Sequence, residues 1–373
     1  MTKLIDQTPE DLNQVNGPSL AEQWFGDVAT AGMRALCKAL ELPDDCRETA
    51  DQLVPALLGD WYSRRFGITP PTSTDITDDG SPFEYSVVVA APRPEVRLLV
   101  EPQSPQQPTN PVSNWVAGWA TLRSLEEQGL VDLSSAEIVR DLFEPRSGDA
   151  GFGLWLGAVI RPGGQPMIKA YFDPNTDGAD NTYLVVAEAM ERLGYAAGWT
   201  WLSRHALENP RIPIPFVSLD LTDADDSRIK VYGGAAARDA ASLDDYLIPL
   251  PGYVPGTARK FSDDLLGPGT IFDQRRPLIC WGMTSRDRER PTQGTLHLPV
   301  RCHVDNDQTL VRRIHRMLPA SDAQALERAV RAVANRPLTA DSGLIAWVSR
   351  KLGPGAPHVT AYLSVEGYRG TPA

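Results

Sequence analysis

The stretch Arg228-Ile229-Lys230-Val231-Tyr232 alternates charged or aromatic side chains with apolar ones. Successive side chains of a β-strand point to opposite faces, so the two cations and the tyrosine share one face and the apolar pair occupies the other. A strand-like run over 215–221 precedes this stretch, and the polar segment between the two runs predicts a hairpin. Lys169-Ala170-Tyr171 shows the same alternation earlier in the chain. The pattern therefore predicts a repeated hairpin that has one polar face.

Five such pairs of strand-like runs can be recognised, each joined by a short segment rich in turn-forming or polar residues. Successive pairs begin roughly 60–70 residues apart, with helical patterns between them. Ten antiparallel strands can close on themselves and remove their unpaired edges. We predict an α+β fold, a ten-stranded antiparallel β-barrel of five α-β-β-α repeats with the helices outside. The predicted pairs are 83–90 with 95–101, 153–160 with 167–172, 215–221 with 228–232, 278–283 with 295–301, and 343–349 with 358–364.

Apolar residues at helical spacing predict helices before and between these hairpins. Two segments are predicted to be irregular, the Pro-rich connection 102–111 and the long loop 249–277. Neither is interpreted as a domain linker, because the repeat continues across both. We therefore expect a single domain over residues 1–373. The predicted helices cover 19–42, 49–65, 114–128, 135–143, 182–207 and 323–335.

The composition excludes several classes of protein. The net charge of −12 disfavours nonspecific binding to nucleic acid. The first residues lack the apolar core of a signal peptide, and no run approaches about 18 uncharged apolar residues, so we expect a cytoplasmic protein without a membrane span. The four cysteines include no Cys-x-x-Cys pair and are expected to be reduced thiols. Against this acidic background, a local cluster of Arg and Lys is more informative.

The cations of the strands are predicted to meet inside the barrel. If helices cover the outer face, the alternation turns Arg97, Lys169, Arg228 and Lys230 toward the lumen. Gathering four cations in one cavity is costly unless they share an anion, and a diphosphate is a natural partner for such a group. The alternative is a set of ordinary amphipathic strands whose Lys and Arg face water.

The tyrosines that alternate with these cations indicate a second property of the site. Ionisation of an allylic diphosphate produces a carbocation that water would quench. An aromatic face stabilises a cation by about 0.5–2 kcal/mol, and its bulk excludes solvent. Cations for a leaving group beside aromatic rings for a carbocation describe a site for prenyl transfer.

One carboxylate, Glu84, is predicted at the start of the first strand, on the face that it shares with Ser86. An indole N–H needs an acceptor, and a buried glutamate could orient the ring or remove its proton. The alternative is a solvated glutamate at the end of a strand or an ion-pair partner of Arg97.

In their order and spacing these motifs resemble the aromatic prenyltransferases of the dimethylallyltryptophan synthase type. The resemblance extends from about Leu57 to Tyr368. It implies a ten-stranded barrel of α-β-β-α repeats in a single aromatic prenyltransferase domain. The motifs are Thr77-Asp78-Asp79-Gly80-Ser81-Pro82-Phe83-Glu84-Tyr85-Ser86, Val96-Arg97-Leu98-Leu99-Val100-Glu101-Pro102, Lys169-Ala170-Tyr171-Phe172, Arg228-Ile229-Lys230-Val231-Tyr232 and Val359-Thr360-Ala361-Tyr362-Leu363-Ser364.

The resemblance also implies the role of each residue. Glu84 would bind the indole nitrogen and, with Lys169, belong to the catalytic residues. The family commonly has Tyr at the position of His297. The neutral imidazole of His297 can still donate a hydrogen bond to phosphate. The diphosphate would be bound by Arg97, Lys169, Arg228, Lys230 and His297, and the allylic cation would be shielded by Tyr171, Tyr232 and Tyr362.

The implied reaction transfers a dimethylallyl group from dimethylallyl diphosphate to tryptophan or a simple indole, in secondary metabolism such as alkaloid biosynthesis. The short chain and simple loops resemble bacterial members. Members that alkylate indole C4 can use a Lys on the first strand of the second repeat, and no Lys occurs between Arg146 and Lys169. This absence weakens C4 as the target and leaves the other ring carbons and N1 open. Of these we expect alkylation at N1, with Glu84 as base and with attack at the tertiary allyl carbon as a variant.

Three other functions agree with parts of this pattern. A metal-dependent prenyltransferase needs Asp-rich motifs that hold Mg²⁺, but Asp44-Asp45-Cys46-Arg47-Glu48 has no second copy and is predicted to lie in a loop. Catalysis is expected to need neither Mg²⁺ nor another cofactor, because Arg and Lys neutralise the leaving group. A non-catalytic barrel that binds small anionic ligands would need the cations but gain nothing from Glu84. A prenyltransferase for a non-indole aromatic is the third alternative.

Overall fold

The computed structural model describes residues 19–71, 74, 76–90, 93–105, 109–146, 150–176, 178–208, 211–224, 227–353 and 358–368. Ten antiparallel strands form one closed barrel, in which each strand pairs with its neighbours in sequence and the last strand pairs with the first. This arrangement confirms the predicted barrel. Two predictions concern residues outside the described ranges, the missing signal peptide within 1–18 and the central part of the irregular segment, 106–108.

The ten strands follow the predicted hairpins, with changes at two of them. The fourth hairpin's second strand was predicted at 295–301 but covers 293–298, because Pro299 has no N–H for the ladder and a 3₁₀ turn follows at Val300–His303. The fifth hairpin begins at Ile345, since Gly343 has a φ of +113° that a strand does not use. The strands are β1 Phe83–Val89, β2 Glu95–Val100, β3 Leu154–Ile160, β4 Met167–Phe172, β5 Phe216–Asp220, β6 Arg228–Gly234, β7 Leu278–Thr284, β8 Gln293–Leu298, β9 Ile345–Leu352 and β10 Val359–Ser364.

The helices lie before and between the hairpins, usually in pairs. They are α1 Phe25–Ala39, α2 Asp44–Leu58, α3 Pro111–Glu127, α4 Ser134–Phe143, α5 Thr182–Arg192, α6 Ala196–Leu202, α7 Thr257–Leu266, α8 Asp307–Met317 and α9 Ala320–Val333. In the described part of the chain, no helix has the length and hydropathy that crossing a bilayer requires.

Several helix predictions need correction. The single helix predicted at 182–207 is interrupted at Gly194, which has a φ of +80°, and it ends in a π-helical turn at Ser203–Leu207. The loop predicted at 249–277 contains α7, and α8 was not predicted. The acidic segment 44–48 is not a loop but the start of α2, where acidic side chains favour the helix dipole.

The helices cover the outer face of the barrel and so decide which strand residues are buried against them. Apolar side chains such as Val87, Leu98 and Ile229 are at most 1% exposed in this layer. Each buried side chain of this size contributes about 1.5–3 kcal/mol to folding. Tyr85 also points outward, and its hydroxyl donates a hydrogen bond to the Val28 carbonyl of α1 at 2.8 Å. The side chains that alternate with these apolar ones along the strands point into the lumen of the barrel.

Candidate active site

The register of the barrel aligns polar residues of neighbouring strands. Ser86 of β1 is opposite Arg97 of β2, and Lys169 of β4 is opposite Asp220 of β5. Residues that are directly opposite in a ladder point to the same face of the sheet. Because the helices occupy the outer face, these polar side chains point into the barrel. The strand pattern thus produces a polar lumen.

The nine residues that the sequence singled out line one cavity of about 220 Å³ inside the barrel. The same cavity is lined by further polar side chains of β8, β9 and β10, including Thr295, Ser349 and Thr360. The nine are Glu84, Arg97, Lys169, Tyr171, Arg228, Lys230, Tyr232, His297 and Tyr362. Their roles remain predictions.

A buried carboxylate, Asp220, lies among the cations. Its Oδ1 is 3.0 Å from Lys169 Nζ, and its Oδ2 accepts a hydrogen bond from Arg228 Nε at 2.7 Å. Burial alone would raise the pKa of Asp220, but Lys169, Arg228 and Lys230 outweigh it and lower the pKa to about 2. Asp220 was not identified from the sequence, although the alternation of 215–221 places it on the same face as Ser218.

The other two cations of the site differ in their partners. Arg97 donates to the Glu95 carboxylate at 2.6 and 3.1 Å. Burial would raise the pKa of Glu95, but Arg97 and then Arg161 lower it. No carboxylate in the described part of the chain lies within 4.0 Å of Lys230. Burial lowers the pKa of Lys230, so an added anion would stabilise its charged form.

Aromatic rings form a band next to the cations. The ring centroids of Tyr171 and Tyr232 are 6.1 Å apart, those of Tyr232 and His297 5.9 Å, and those of His297 and Tyr362 5.7 Å. Burial, followed by Lys230 and Arg97, lowers the pKa of His297 to about 3, so its imidazole is neutral at physiological pH. Its Nε2 is buried and has no hydrogen-bond partner among the described residues. The band is therefore uncharged and available to a ligand.

The band continues into an apolar cluster that the sequence analysis missed. Trp155 stacks on Phe152 at 3.9 Å and approaches Phe216 at 5.5 Å, and Phe216 is 4.4 Å from Tyr232. Ile76 belongs to the same cluster. The strand around Trp155 is apolar on both faces, so alternation did not show which residues point inward. This cluster therefore extends the band with buried aromatic rings.

Glu84 lines the cavity and forms no ion pair with a cation of the described residues. It is 5% exposed, and its Oε1 has no hydrogen-bond partner among the described residues. Burial, followed by the charge of Asp78, raises the pKa of Glu84 well above its usual value, against a smaller effect of Arg275. Asp78 itself is bound by Arg275 and Arg301. Glu84 can therefore accept a hydrogen bond or a proton from a ligand.

The side chains of His, Cys, Asp and Glu are those that could hold a metal ion. Within the described ranges, no group of three or more His, Cys, Asp or Glu is arranged to hold a metal ion. The acidic segment at the start of α2 lies on the protein surface, and Arg47 forms an ion pair with Asp44 there. This segment is therefore remote from the lumen of the barrel.

Comparisons with known proteins agree with this architecture. A sequence profile described as tryptophan dimethylallyltransferase matches residues 49–331. The crystal structure of PriB in a binary complex with product diphosphate is 30% identical, with 93% of this chain and 97% of that chain covered and a TM-score of 0.83. The 5-dimethylallyl tryptophan synthase of Streptomyces coelicolor, in complex with DMASPP and Trp, is 29% identical, with 94% and 98% covered and a TM-score of 0.84.

A further similar structure is the 6-dimethylallyltryptophan synthase of Micromonospora olivasterospora, also in complex with DMASPP and Trp. It is 28% identical, with 96% of this chain and all of that chain covered and a TM-score of 0.85. The profile match spans most of the chain, and the structural matches share the helix-covered barrel. On this evidence the protein is a transferase that belongs to the tryptophan dimethylallyltransferase family of indole prenyltransferases.

Proposed function

We propose that the protein transfers a dimethylallyl group from dimethylallyl diphosphate to the indole ring of tryptophan or a simple indole derivative, in secondary metabolism. The observation that carries this proposal is one cavity that combines a cationic group, a neutral aromatic band and Glu84, whose Oε1 has no hydrogen-bond partner among the described residues. Similar enzymes have been solved with DMASPP and tryptophan, which supports the same pair of substrates here. Membership of a transferase family disfavours the anion-carrier alternative.

The cationic group is proposed to bind the diphosphate. Lys230 has no carboxylate within 4.0 Å among the described residues. Arg228 lies two residues before it on β6, and Lys169 lies on β4, on the far side of β5. Arg97 and the imidazole of His297 complete the set. As the C–O bond of the donor breaks, negative charge grows on the diphosphate, and charge-assisted hydrogen bonds from fixed donors stabilise it. We propose that these donors make Mg²⁺ unnecessary.

The aromatic band is proposed to shield the dimethylallyl cation. Burial raises the pKa of Tyr171, Tyr232 and Tyr362, so all three remain neutral phenols. Their faces stabilise a cation without quenching it, and their bulk keeps water out. A neutral His297 between Tyr232 and Tyr362 adds no positive charge that would oppose the carbocation.

Glu84 is proposed to bind the indole N–H. For alkylation at N1, the nitrogen forms the new N–C bond and its proton passes to the Glu84 carboxylate. β3 presents Trp155, Gly157 and Val159 to the lumen and carries no lysine. The similar structures include 5- and 6-dimethylallyltryptophan synthases, so a carbon of the benzene ring is the alternative position. In that reaction Glu84 would only orient the ring.

The test is incubation of the purified protein with tryptophan and dimethylallyl diphosphate in the presence of EDTA. A product that gains one C₅H₈ unit by mass supports metal-independent transfer, and NMR distinguishes N1 from a ring carbon. Activity that returns only with Mg²⁺ would contradict metal independence. Products from non-indole aromatics alone would contradict the proposed acceptor.

A further inference from the structure

Asp220 occupies a special place in the cationic group. It ends β5 and is 3% exposed. Its two carboxylate oxygens bind cations on the strands to either side, Lys169 of β4 at 3.0 Å and Arg228 of β6 at 2.7 Å. Asp220 on β5 therefore links a cation of β4 to a cation of β6, and both cations line the cavity.

Lys169 is the lysine of this group that contacts Asp220. It is 6% exposed, and burial, followed by Lys230 and Arg228, lowers its pKa well below the usual value. An arginine stays charged in proteins, whereas a buried lysine can lose its proton. The charged or titratable groups that face Lys169 are Asp220 from β5, Arg228 and Lys230 from β6, Arg97 and Glu95 from β2, and Cys280 from β7.

We propose that Asp220 is a positioning residue for diphosphate binding, which holds Lys169 and Arg228 toward the cavity and keeps the Lys169 ammonium charged before the anion arrives. The inference rests on the proposed function, because the anion is the diphosphate of the prenyl donor. Asp220 does not touch the donor in this account. It acts through the two cations that it binds.

Removal of the Asp220 carboxylate has two opposite effects on an incoming anion. It abolishes a negative charge that repels the diphosphate, and it allows Lys169 to lose its proton. At low pH Lys169 remains protonated, so only the first effect operates and binding is unchanged or tighter. At high pH Lys169 becomes neutral, so the second effect dominates and binding weakens. A purely structural role would instead weaken binding equally at every pH.

The experiment is calorimetric titration of the wild type and of Asp220→Asn with inorganic diphosphate, in EDTA, between about pH 6 and pH 9. Diphosphate itself titrates in this range, but identically for both proteins, so the ratio of their Kd values is the readout. We expect a ratio near or below one at pH 6 that rises at least tenfold by pH 9. A ratio that does not change with pH would overturn the proposal.

Two control variants separate charge from structure. Glu191→Gln removes a carboxylate from the exposed surface of α5, so its Kd ratio to the wild type should be independent of pH. Asp220→Glu keeps the carboxylate and should also give a flat ratio. A rising ratio in Glu191→Gln would show that the pH dependence does not come from Asp220 and would reject the proposal.

If Asp220→Asn does not fold, Lys169→Arg tests the same claim. With Asp220 in place, the ratio of the wild-type Kd to the Kd of Lys169→Arg should stay constant over the same pH range, because Asp220 keeps a cation at position 169 in both proteins. A ratio that rises with pH would overturn the proposal. Binding is measured without turnover, so a failure of prenyl transfer with the expected Kd ratios would reject the proposed function and leave the role of Asp220 standing.

Discussion

The three acidic residues Glu84, Glu95 and Asp220 project from strands of the same barrel, but their surroundings give them different properties. Glu95 and Asp220 contact Arg97, Lys169 or Arg228, and these cations lower their pKa values. Glu84 contacts no cation among the described residues, and burial raises its pKa. Two carboxylates thus serve as internal counter-ions. The third is the residue that we propose accepts a proton from the indole.

Glu84→Gln is expected to reduce kcat by about 10²–10⁴-fold, because an amide cannot take the indole proton. Circular dichroism should remain native, and diphosphate binding should change little. Glu191→Gln, on the exposed surface of α5, is the matched control and should keep wild-type kcat. Near wild-type turnover in a folded Glu84→Gln protein would contradict the assignment.

The raised pKa of Glu84 also predicts how kcat/KM depends on pH. The carboxyl accepts a proton only when it is ionised, so activity should rise with pH through the Glu84 pKa. Burial moves this rise above the value of about 4.3 that is usual for glutamate. Rates measured with saturating dimethylallyl diphosphate and limiting tryptophan give the profile. A midpoint at or below the usual value would show that Glu84 is not the base.

The raised pKa of Glu84 also predicts that this residue lowers the stability of the folded protein. A carboxyl whose folded-state pKa is raised destabilises the folded state as pH rises from its unfolded pKa to its folded pKa. The Tm of Glu84→Gln should therefore exceed that of the wild type at pH 8, and the difference should shrink near pH 5. Thermal unfolding at the two pH values provides the test, and a lower Tm for the variant at pH 8 would be the opposite result.

Within a single strand, one face packs against the helices and the other face lines the cavity. On β6, Ile229 is buried against the outer layer, whereas Lys230 lines the cavity. Because the side-chain period of a strand is two, a shift of one residue would exchange these faces. Other strands such as β2 and β4 repeat this division, whereas β3 is apolar on both faces.

Paired substitutions on β6 should separate the two faces. Lys230→Met removes a buried cation that has no ion pair among the described residues, so we expect unchanged or higher stability and at least a tenfold higher KM for dimethylallyl diphosphate. Ile229→Ala leaves a cavity and should lower the free energy of unfolding by about 2–5 kcal/mol with little change in KM. Urea unfolding and steady-state kinetics measure both. A higher KM in Ile229→Ala alone would reverse the assignment of the faces.

At the scale of the whole molecule, closure of the barrel depends on residues that are far apart in sequence. β1 and β10 pair along six residues, and the Tyr368 hydroxyl donates to the Phe66 carbonyl at 2.8 Å. β10 also brings Thr360 and Tyr362 to the cavity. The last hairpin therefore completes both the sheet and the site.

Removal of residues 354–373 should abolish cooperative folding, because it deletes β10 and leaves β1 and β9 with unpaired edges. The truncated protein is expected to aggregate or to lose its sharp thermal transition, as followed by circular dichroism and light scattering. Removal of residues 369–373 alone spares β10 and is the control. A soluble, cooperatively unfolding form of the longer truncation would contradict this view of closure.

Sequence patterns alone predict the number of hairpins, their polar face and the nine cavity residues, because a period of two and a recurring repeat are local properties of a chain. Local pattern does not show that Trp155 points inward, since both faces of β3 are apolar, whereas the apolar spacing of α7 and α8 is itself a helical signal. The position of Asp220 between Lys169 and Arg228, and the absence of a cation in contact with Glu84 among the described residues, follow from the packed barrel alone. Charge partners depend on which strands become neighbours and on the desolvation that closure imposes, and both arise only when distant segments pack together.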